Sequence, residues 1–157
     1  ATLAGEGAVV GVKDSSGAGE LLAELNILCE QGNISLLKFL GTVYRITTSG
    51  ALGVDGVIPA IANLVPKASA QGWEAGERGD AETVRSCNAQ LIIAGKVAQL
   101  AKGGGPNAAA CSGVKSALKM RGGLDNDTVS RPLRPMTEQE QAGIPAILQD
   151  LGLSNGS

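Results

Sequence analysis

Few side chains in these 157 residues can carry covalent or acid–base chemistry, and Lys13 has the position with most scope for it. It ends a short apolar run in "GAVVGVKDSSG", residues 7 to 17, where Val9, Val10 and Val12 read as the interior of a strand buried on both faces. A lysine at the carboxyl end of such a strand is either a solvated terminus or a nucleophile aimed into a pocket. The active sites of parallel α/β barrels lie at that end of their strands, which gives the second option a physical basis. Class I aldol chemistry needs an amine that sheds its proton near neutral pH, and a low-dielectric barrel mouth favours the neutral form. Position alone does not choose between the two.

The other candidates are weaker. The chain has no histidine, which excludes Ser-His and Cys-His dyads and the usual zinc sites and leaves lysine, carboxylates, tyrosine and hydroxyls. Cys29, Cys87 and Cys111 are odd in number and widely spaced, each inside an apolar helical pattern; they are expected to be buried thiols of a reducing compartment, not disulfides or metal ligands. "GAGE" at 17 to 20 and "KGGGP" at 102 to 106 lack the spacing of a dinucleotide fingerprint or a P-loop and read as helix ends. The acids of "EAGERGDAE", 74 to 82, read as a solvated turn leading into a helix N-terminus, where the macrodipole favours negative charge.

The elements that must position these groups follow from the hydrophobic period. After the first strand, Leu21, Leu22, Leu25, Leu28 and Cys29 recur at helical spacing and Gly32 stops the helix. "ISLLKFLG", 34 to 41, is a second short apolar run, "ITTSGALG", 46 to 53, a short helix closed by Gly53, and "VDGVIPAIAN", 54 to 63, a third run. Strands alternating with helices in this order indicate a parallel sheet with helices outside it. Beyond it the chain reads as helical: 81 to 102 with Val84, Cys87, Leu91, Ala94 and Ala98 on one face and Asp80 as N-cap, then roughly 107 to 121 with Val114 and Leu118. "RPLRP", 131 to 135, is an extended connector, and "TEQE", 137 to 140, is a capping box for a last helix kinked at Pro145 and stopped at Gly152.

Bulk composition narrows the class. Hydrophobic residues are 43% and charged residues 18%, an ordinary globular mixture long enough for one cored domain. Phe39, Tyr44 and Trp73 are the only aromatics, so the core is aliphatic. A net charge of −2 with no basic face argues against nucleic acid and anionic membrane as partners. No run approaches a membrane span, and "ATLAGEGAVV" lacks the regions of a signal peptide, so a soluble, cytoplasmic protein is expected.

Taken in order, "VVGVKDSSG", "FLG" at 39 to 41, "ALGVDGVIPAIANLVP" at 51 to 66, "AKGGGPNAAACSGVKSAL" at 101 to 118 and "RPLRPMTEQE" at 131 to 140 resemble the carboxyl-terminal part of the dihydrodipicolinate synthase and N-acetylneuraminate lyase family. The resemblance implies strands six to eight of a (β/α)8 TIM barrel over residues 1–80 and a carboxyl-terminal helical extension over 81–157. It implies a lyase whose lysine, matched by Lys13, forms a Schiff base with pyruvate or a related 2-oxo acid, without metal or organic cofactor. Gly41 matches the glycine lining the pyruvate pocket, Ile58 the apolar residue beside the bound acid, and Ser15 and Ala60 further substrate-side positions. A dihydrodipicolinate synthase-like condensation with aspartate semialdehyde is the leading expectation. A 2-keto-3-deoxy sugar acid or 4-hydroxy-2-oxoglutarate aldolase is the alternative within the class, and a non-catalytic barrel fragment or assembly module the alternative outside it. Family members are usually tetramers, so a homo-oligomer is implied.

Two departures qualify the expectation. The family commonly places acids after the matched glycine, whereas here Thr42, Val43 and Tyr44 follow Gly41, which disfavours a sialic acid substrate. Five strand and helix units, with the carboxylate-gripping loop and the proton-relaying tyrosine, precede this region in the family. The residues are therefore expected to be part of a longer barrel whose amino-terminal half is the necessary partner. Tyr44, the only tyrosine, lies at the wrong strand end to replace the missing one.

Overall fold

The computed structural model describes residues 1–103 and 105–154. A short helix α1 (Thr2–Gly5) precedes strand β1 (Gly11–Asp14), helix α2 (Gly19–Gln31) and strand β2 (Leu37–Leu40). Two 3-10 helices, Val43–Thr48 and Gly50–Leu52, lead to strand β3 (Gly56–Val57) and a third 3-10 turn, Ala60–Asn63. Helices α3 (Pro66–Arg78), α4 (Ala81–Leu100), α5 (Pro106–Met120), α6 (Glu138–Gln141) and α7 (Ile144–Asp150) complete the chain. The strands form one parallel sheet in the order β1-β2-β3, with Lys13 opposite Phe39 and Phe39 opposite Gly56. No helix among the described residues is long and apolar enough to cross a membrane.

Two compact units divide the chain. The first comprises Ala1–Pro59 and Lys67–Asn88 and contains the sheet. Side chains alternate across a strand, and here the two faces differ. On one, Leu40 is fully buried with Leu22 of α2 and Val54, and Leu52, Val57 and Trp73 pack against them. On the other stand Lys13, Phe39 and Gly56. The ring of Phe39 lies 3.3 Å from where a Cβ on Gly56 would be, tighter than side chains ordinarily pack, and in ordinary contact, 3.8 Å, with one on Gly11. Further along this face Leu37 and Ile58 are about half exposed.

The expectation of a first strand buried on both faces is therefore wrong. Val9 and Val10 lie ahead of β1, and Val9, Val10 and Val12 are 39%, 80% and 37% exposed. The reason is positional. β1 is an edge strand paired only with β2 among the described residues, and helices cover one face of the sheet, not two.

Helix α3 occupies a stretch too polar overall to read as a core helix, its buried face being the small residues Ala68, Ser69, Gly72 and Ala75. Glu74 to Arg78 thus belong to a helix, not a turn; the turn is at Gly79, φ 71°, and Asp80 caps α4 by accepting from the Thr83 N–H at 3.1 Å. The Thr83 side chain first, and this backbone bond second, hold the Asp80 carboxyl below its ordinary value.

The second unit comprises Ala60–Pro66 and the residues from Ala89 onward. Leu91, Ala94 and Val97 of α4, Val114 and Ala117 of α5, and Ile144, Ile147 and Leu148 of α7 are buried in it. Ala98 is only half-buried; Val97 takes the core position. Gly113 lets the α5 backbone lie against the Val97 carbonyl, where no side chain fits. The capping box forms as expected, Thr137 with Glu140, but it starts the four-residue α6. Pro145 opens a separate helix, α7, instead of kinking one, since a proline lacking its N–H is tolerated in a first turn. "RPLRP" is not wholly extended, for Leu133 N–H donates to the Ser130 carbonyl across a turn. Cys29 and Cys87 are buried, but Cys111 is exposed, on the solvent side of α5.

Two polar clusters tie the connecting segments of this unit. Asp127, itself buried, accepts from Ser116 Oγ at 2.8 Å, Lys119 Nζ at 2.9 Å and Gln141 Nε2 at 3.1 Å. The guanidinium of Arg134 binds Glu140 through two 2.7 Å bonds, and the same carboxylate accepts the Lys102 and Thr137 backbone N–H groups. Arg134 is the main cause that holds the Glu140 carboxyl far below its usual range.

Candidate functional site

The candidate residues gather at the carboxyl ends of the three strands. Parallel register puts Asp14, Leu40 and Val57 in one row, so Ser15, Gly41 and Ile58 begin the next. Two backbone bonds carry the ladder past the strand ends: Gly41 N–H donates to the Asp14 carbonyl at 2.7 Å and Ile58 N–H to the Leu40 carbonyl at 2.8 Å. Lys13 lies two rows below Ser15 and, by strand alternation, on the same face.

The loop after β1 is shaped by Asp14. Its carboxylate accepts the Ser16 N–H at 2.8 Å and the Ser16 hydroxyl at 3.0 Å, an Asx turn that bends the chain away from the strand. Ser16 Oγ in turn accepts the Ala18 N–H at 3.2 Å, immediately before α2. The pattern "KDSSG" therefore divides its labour: the buried Asp14 holds the turn, and Lys13 and Ser15 are left to the open face.

Gly41 is where these side chains meet. A Cβ there would stand 2.5 Å from Lys13 Cε, closer still to Ser15 Oγ, and 3.2 Å from the Asp14 carbonyl oxygen. Only a glycine allows the lysine stem and the serine hydroxyl to converge over the end of β2. Lys13 itself is exposed at this face and not enclosed by a barrel mouth.

The remaining candidates are arranged along the same rim. Ile58 stands at the end of β3 and is 51% exposed. Thr42 is extended, φ −102°, and precedes the 3-10 helix that carries Val43, half-buried, and Tyr44, exposed. The structure thus brings Lys13 and Ser15 together over Gly41 and sets Ile58 on the row of Ser15 and Gly41, while Thr42, Val43 and Tyr44 run from Gly41 into the following segment. Phe39 and Asp14 are the neighbours that motif matching alone does not single out. Strand alternation could have found Phe39, two residues before Gly41; the Asx-turn pattern Asp-x-Ser-Gly could have found Asp14. Among the described residues no group of three or more His, Cys, Asp or Glu side chains could hold a metal ion.

An amine, a hydroxyl and exposed backbone at the end of a parallel sheet can attack and orient a carbonyl compound. Comparison with known proteins agrees in kind. The chain matches the Dihydrodipicolinate synthetase family over residues 1–151. It is 30% identical over 145 residues to a 4-hydroxy-tetrahydrodipicolinate synthase of Geobacter sulfurreducens, which covers 92% of this chain and 46% of that protein. Dihydrodipicolinate synthase from Bacteroides thetaiotaomicron superposes with a TM-score of 0.78 at 24% identity, covering 91% of this chain and 47% of that one. YagE, an E. coli K12 prophage protein of the dihydrodipicolinic acid synthase family solved in complex with pyruvate, superposes with a TM-score of 0.77 at 23% identity, covering 97% and 49%. The three parallel strands with their helices are therefore part of a TIM-barrel-like fold. The chain spans about half the length of the relatives it matches.

Proposed function

Since the chain belongs to the dihydrodipicolinate synthetase family, we propose that Lys13 is the nucleophile of a class I aldolase acting on pyruvate or a closely related 2-oxo acid. The observation that carries this reading is the convergence of Lys13 and Ser15 over Gly41 at the carboxyl ends of parallel strands. Pyruvate bound to YagE supports the substrate class.

The chemistry is that of an imine. Lys13 Nζ forms a bond to the keto carbon, the keto oxygen leaves as water after gaining two protons, and the protonated imine draws electrons from the neighbouring carbon. Loss of a proton there gives an enamine, which adds to an aldehyde; the reverse sequence cleaves an aldol. Hydrolysis then frees the lysine. Ser15 is assigned to hydrogen-bond the substrate beside the new C–N bond, Ile58 to pack against its apolar side, and Thr42, Val43 and Tyr44 to meet the aldehyde partner. With no acid among those three, an aldehyde with few hydroxyl groups fits better than a sugar, as in a dihydrodipicolinate synthase-like condensation.

In this reading residues 1–80 supply three strands of the barrel and residues 81–157 an accessory helical extension. The open face bearing Lys13, Leu37 and Ile58 is closed by an amino-terminal half, upstream or in a second polypeptide, and the completed barrels associate as a homo-oligomer. The exposure of Lys13 favours one rival, a non-catalytic assembly module that retains the lysine.

Borohydride reduction in the presence of pyruvate, followed by peptide mass mapping, decides between them. The expected result is a reduced pyruvate adduct on Lys13, absent in Lys13→Arg. Adducts spread over surface lysines, or none in the protein with its barrel complete, would refute the assignment.

A further inference from the structure

Beside the site, the chain between Gly41 and β3 is neither strand nor regular helix, yet it is held at several points. Ile46, Thr47 and Ser49 are buried within it. Ser49 Oγ donates to the Ile46 carbonyl at 2.9 Å, a bond internal to the segment. At its far end the Leu52 carbonyl accepts from Asn26 Nδ2 of α2 at 2.8 Å; nearer Val43 and Tyr44 a second tie runs through Thr47. Its hydroxyl donates to Asn88 Oδ1 at 2.9 Å, a bond reaching across 41 residues of sequence. Its methyl, Cγ2, lies 3.0 Å from where a Cβ on Gly72 would be. Its carbonyl lies over Gly76, where an added Cβ would collide with the oxygen and come within 2.8 Å of the carbonyl carbon.

Gly72 and Gly76 are one helical turn apart on α3, so together they leave a notch four residues long for a single residue. Asn88 on α4 closes the notch with an acceptor. Gly50, further on, leaves room for the carboxylate of Glu77, the next residue of α3 after Gly76. Such close backbone approach gives a 3-10 segment, whose hydrogen bonds are poorer than those of an α-helix, a fixed seat that its own bonding does not supply.

We infer that Thr47, seated in the notch of Gly72 and Gly76 and bonded to Asn88, is a positioning residue that sets where Val43 and Tyr44 meet the aldehyde partner, independently of imine formation at Lys13. The inference rests on the aldolase reading above. It separates two functions by element. Lys13 and Ser15 belong to β1 and its loop, held by Asp14; the aldehyde-side residues belong to a segment whose Thr47 is held by α3 and α4. Loosening Thr47 therefore changes the second-substrate step and leaves the first alone.

Thr47→Val keeps the shape and deletes the hydroxyl, leaving Asn88 Oδ1 without its donor; Thr47→Ser restores the donor. In the intact protein, amide exchange of residues 43–48 is expected to accelerate roughly fivefold or more in Thr47→Val, the effect of losing one neutral hydrogen bond, with exchange in residues 19–31 unchanged. The aldehyde KM is expected to rise by a similar factor while trapping of pyruvate on Lys13 proceeds at the parent rate. Thr47→Ser should reverse both changes, and Asn88→Ala should reproduce them. Unchanged exchange at 43–48, acceleration spread evenly over the first unit, or an equal loss of pyruvate trapping would overturn the inference. If the parent itself fails to trap pyruvate, the aldolase reading falls on that result, and the exchange pattern still decides whether Thr47 sets the segment.

Discussion

Replacing Gly41 by alanine should separate the working of the site from the stability of the fold. The added Cβ would stand 2.5 Å from Lys13 Cε. Carbon atoms in contact settle at about 3.5 Å or more, so the amine-bearing end of Lys13 has to retreat by about 1 Å. Ser15 Oγ, closer still, has to rotate away as well. Both are ends of exposed side chains, and moving them disturbs no core. The one rigid neighbour is the Asp14 carbonyl oxygen at 3.2 Å, which must give by a few tenths of an ångström. Overpacking a buried site costs about 1–3 kcal/mol; at this open face the cost should stay below about 1 kcal/mol. The kinetic effect is larger, because a misplacement of about 1 Å in a reacting group can cost on the order of 100-fold in rate. The assay pairs the rate of borohydride-trapped pyruvate adduct on Lys13 with a urea unfolding curve. Trapping at the parental rate would refute the role given to Gly41. So would a large fall in the unfolding midpoint, since the glycine would then be serving the fold.

Asp127→Asn should cost about 1–3 kcal/mol in urea unfolding, because the charged acceptor of Ser116, Lys119 and Gln141 is lost from a buried position. It should also flatten the acid limb of stability. Hydrogen bonds from Lys119, then Ser116, hold the Asp127 carboxyl below its ordinary value, so its contribution is complete above the unfolded value of about 4 and disappears as pH falls through the lower folded value. Glu140, lowered by Arg134, keeps a similar dependence in the variant, so the limb becomes shallower and does not vanish; identical acid profiles would contradict this account. For the thiols, a disulfide-exchange reagent should modify Cys111 rapidly and Cys29 and Cys87 slowly, Cys87 being further protected because burial pushes its thiol pKa up. Three thiols reacting together in the folded protein would show that the burial is wrong.

Where a side chain's neighbours lie close in sequence, its role was legible beforehand. The Thr137–Glu140 capping box, the Asp80 cap and the left-handed glycine at 53 are local devices, and each stands where the pattern put it. α3 was illegible in runs of large apolar residues, because this helix is polar overall and buries alanine, serine and glycine against its neighbours. Val9, Val10 and Val12 misled for the opposite reason. An apolar run reports what a strand is suited to lie against, and β1 has a partner on one side only among the described residues. At the site, motif matching singled out Lys13 and Gly41, but that an alanine Cβ would strike Lys13 and Ser15 at once is a fact of register and alternation across two strands. The seat of Thr47 joins residues 25, 29 and 41 positions away and has no sequence signature at all.

The ring of Phe39 between Gly11 and Gly56 has a bearing on how this sheet finds its alignment. A parallel pair could slide by two residues and keep every side chain on its proper face. Sliding β3 that way would bring Val54 or Ile58 where Gly56 now stands, already 3.3 Å from the ring at the Cβ, and the larger side chain would force the ring aside. Phe39 thus works as a key cut for one setting of the lock. Since Gly41 and Ile58 stand two residues beyond Phe39 and Gly56, the height at which substrate would be met is decided one layer beneath it, by an aromatic ring that need never touch it.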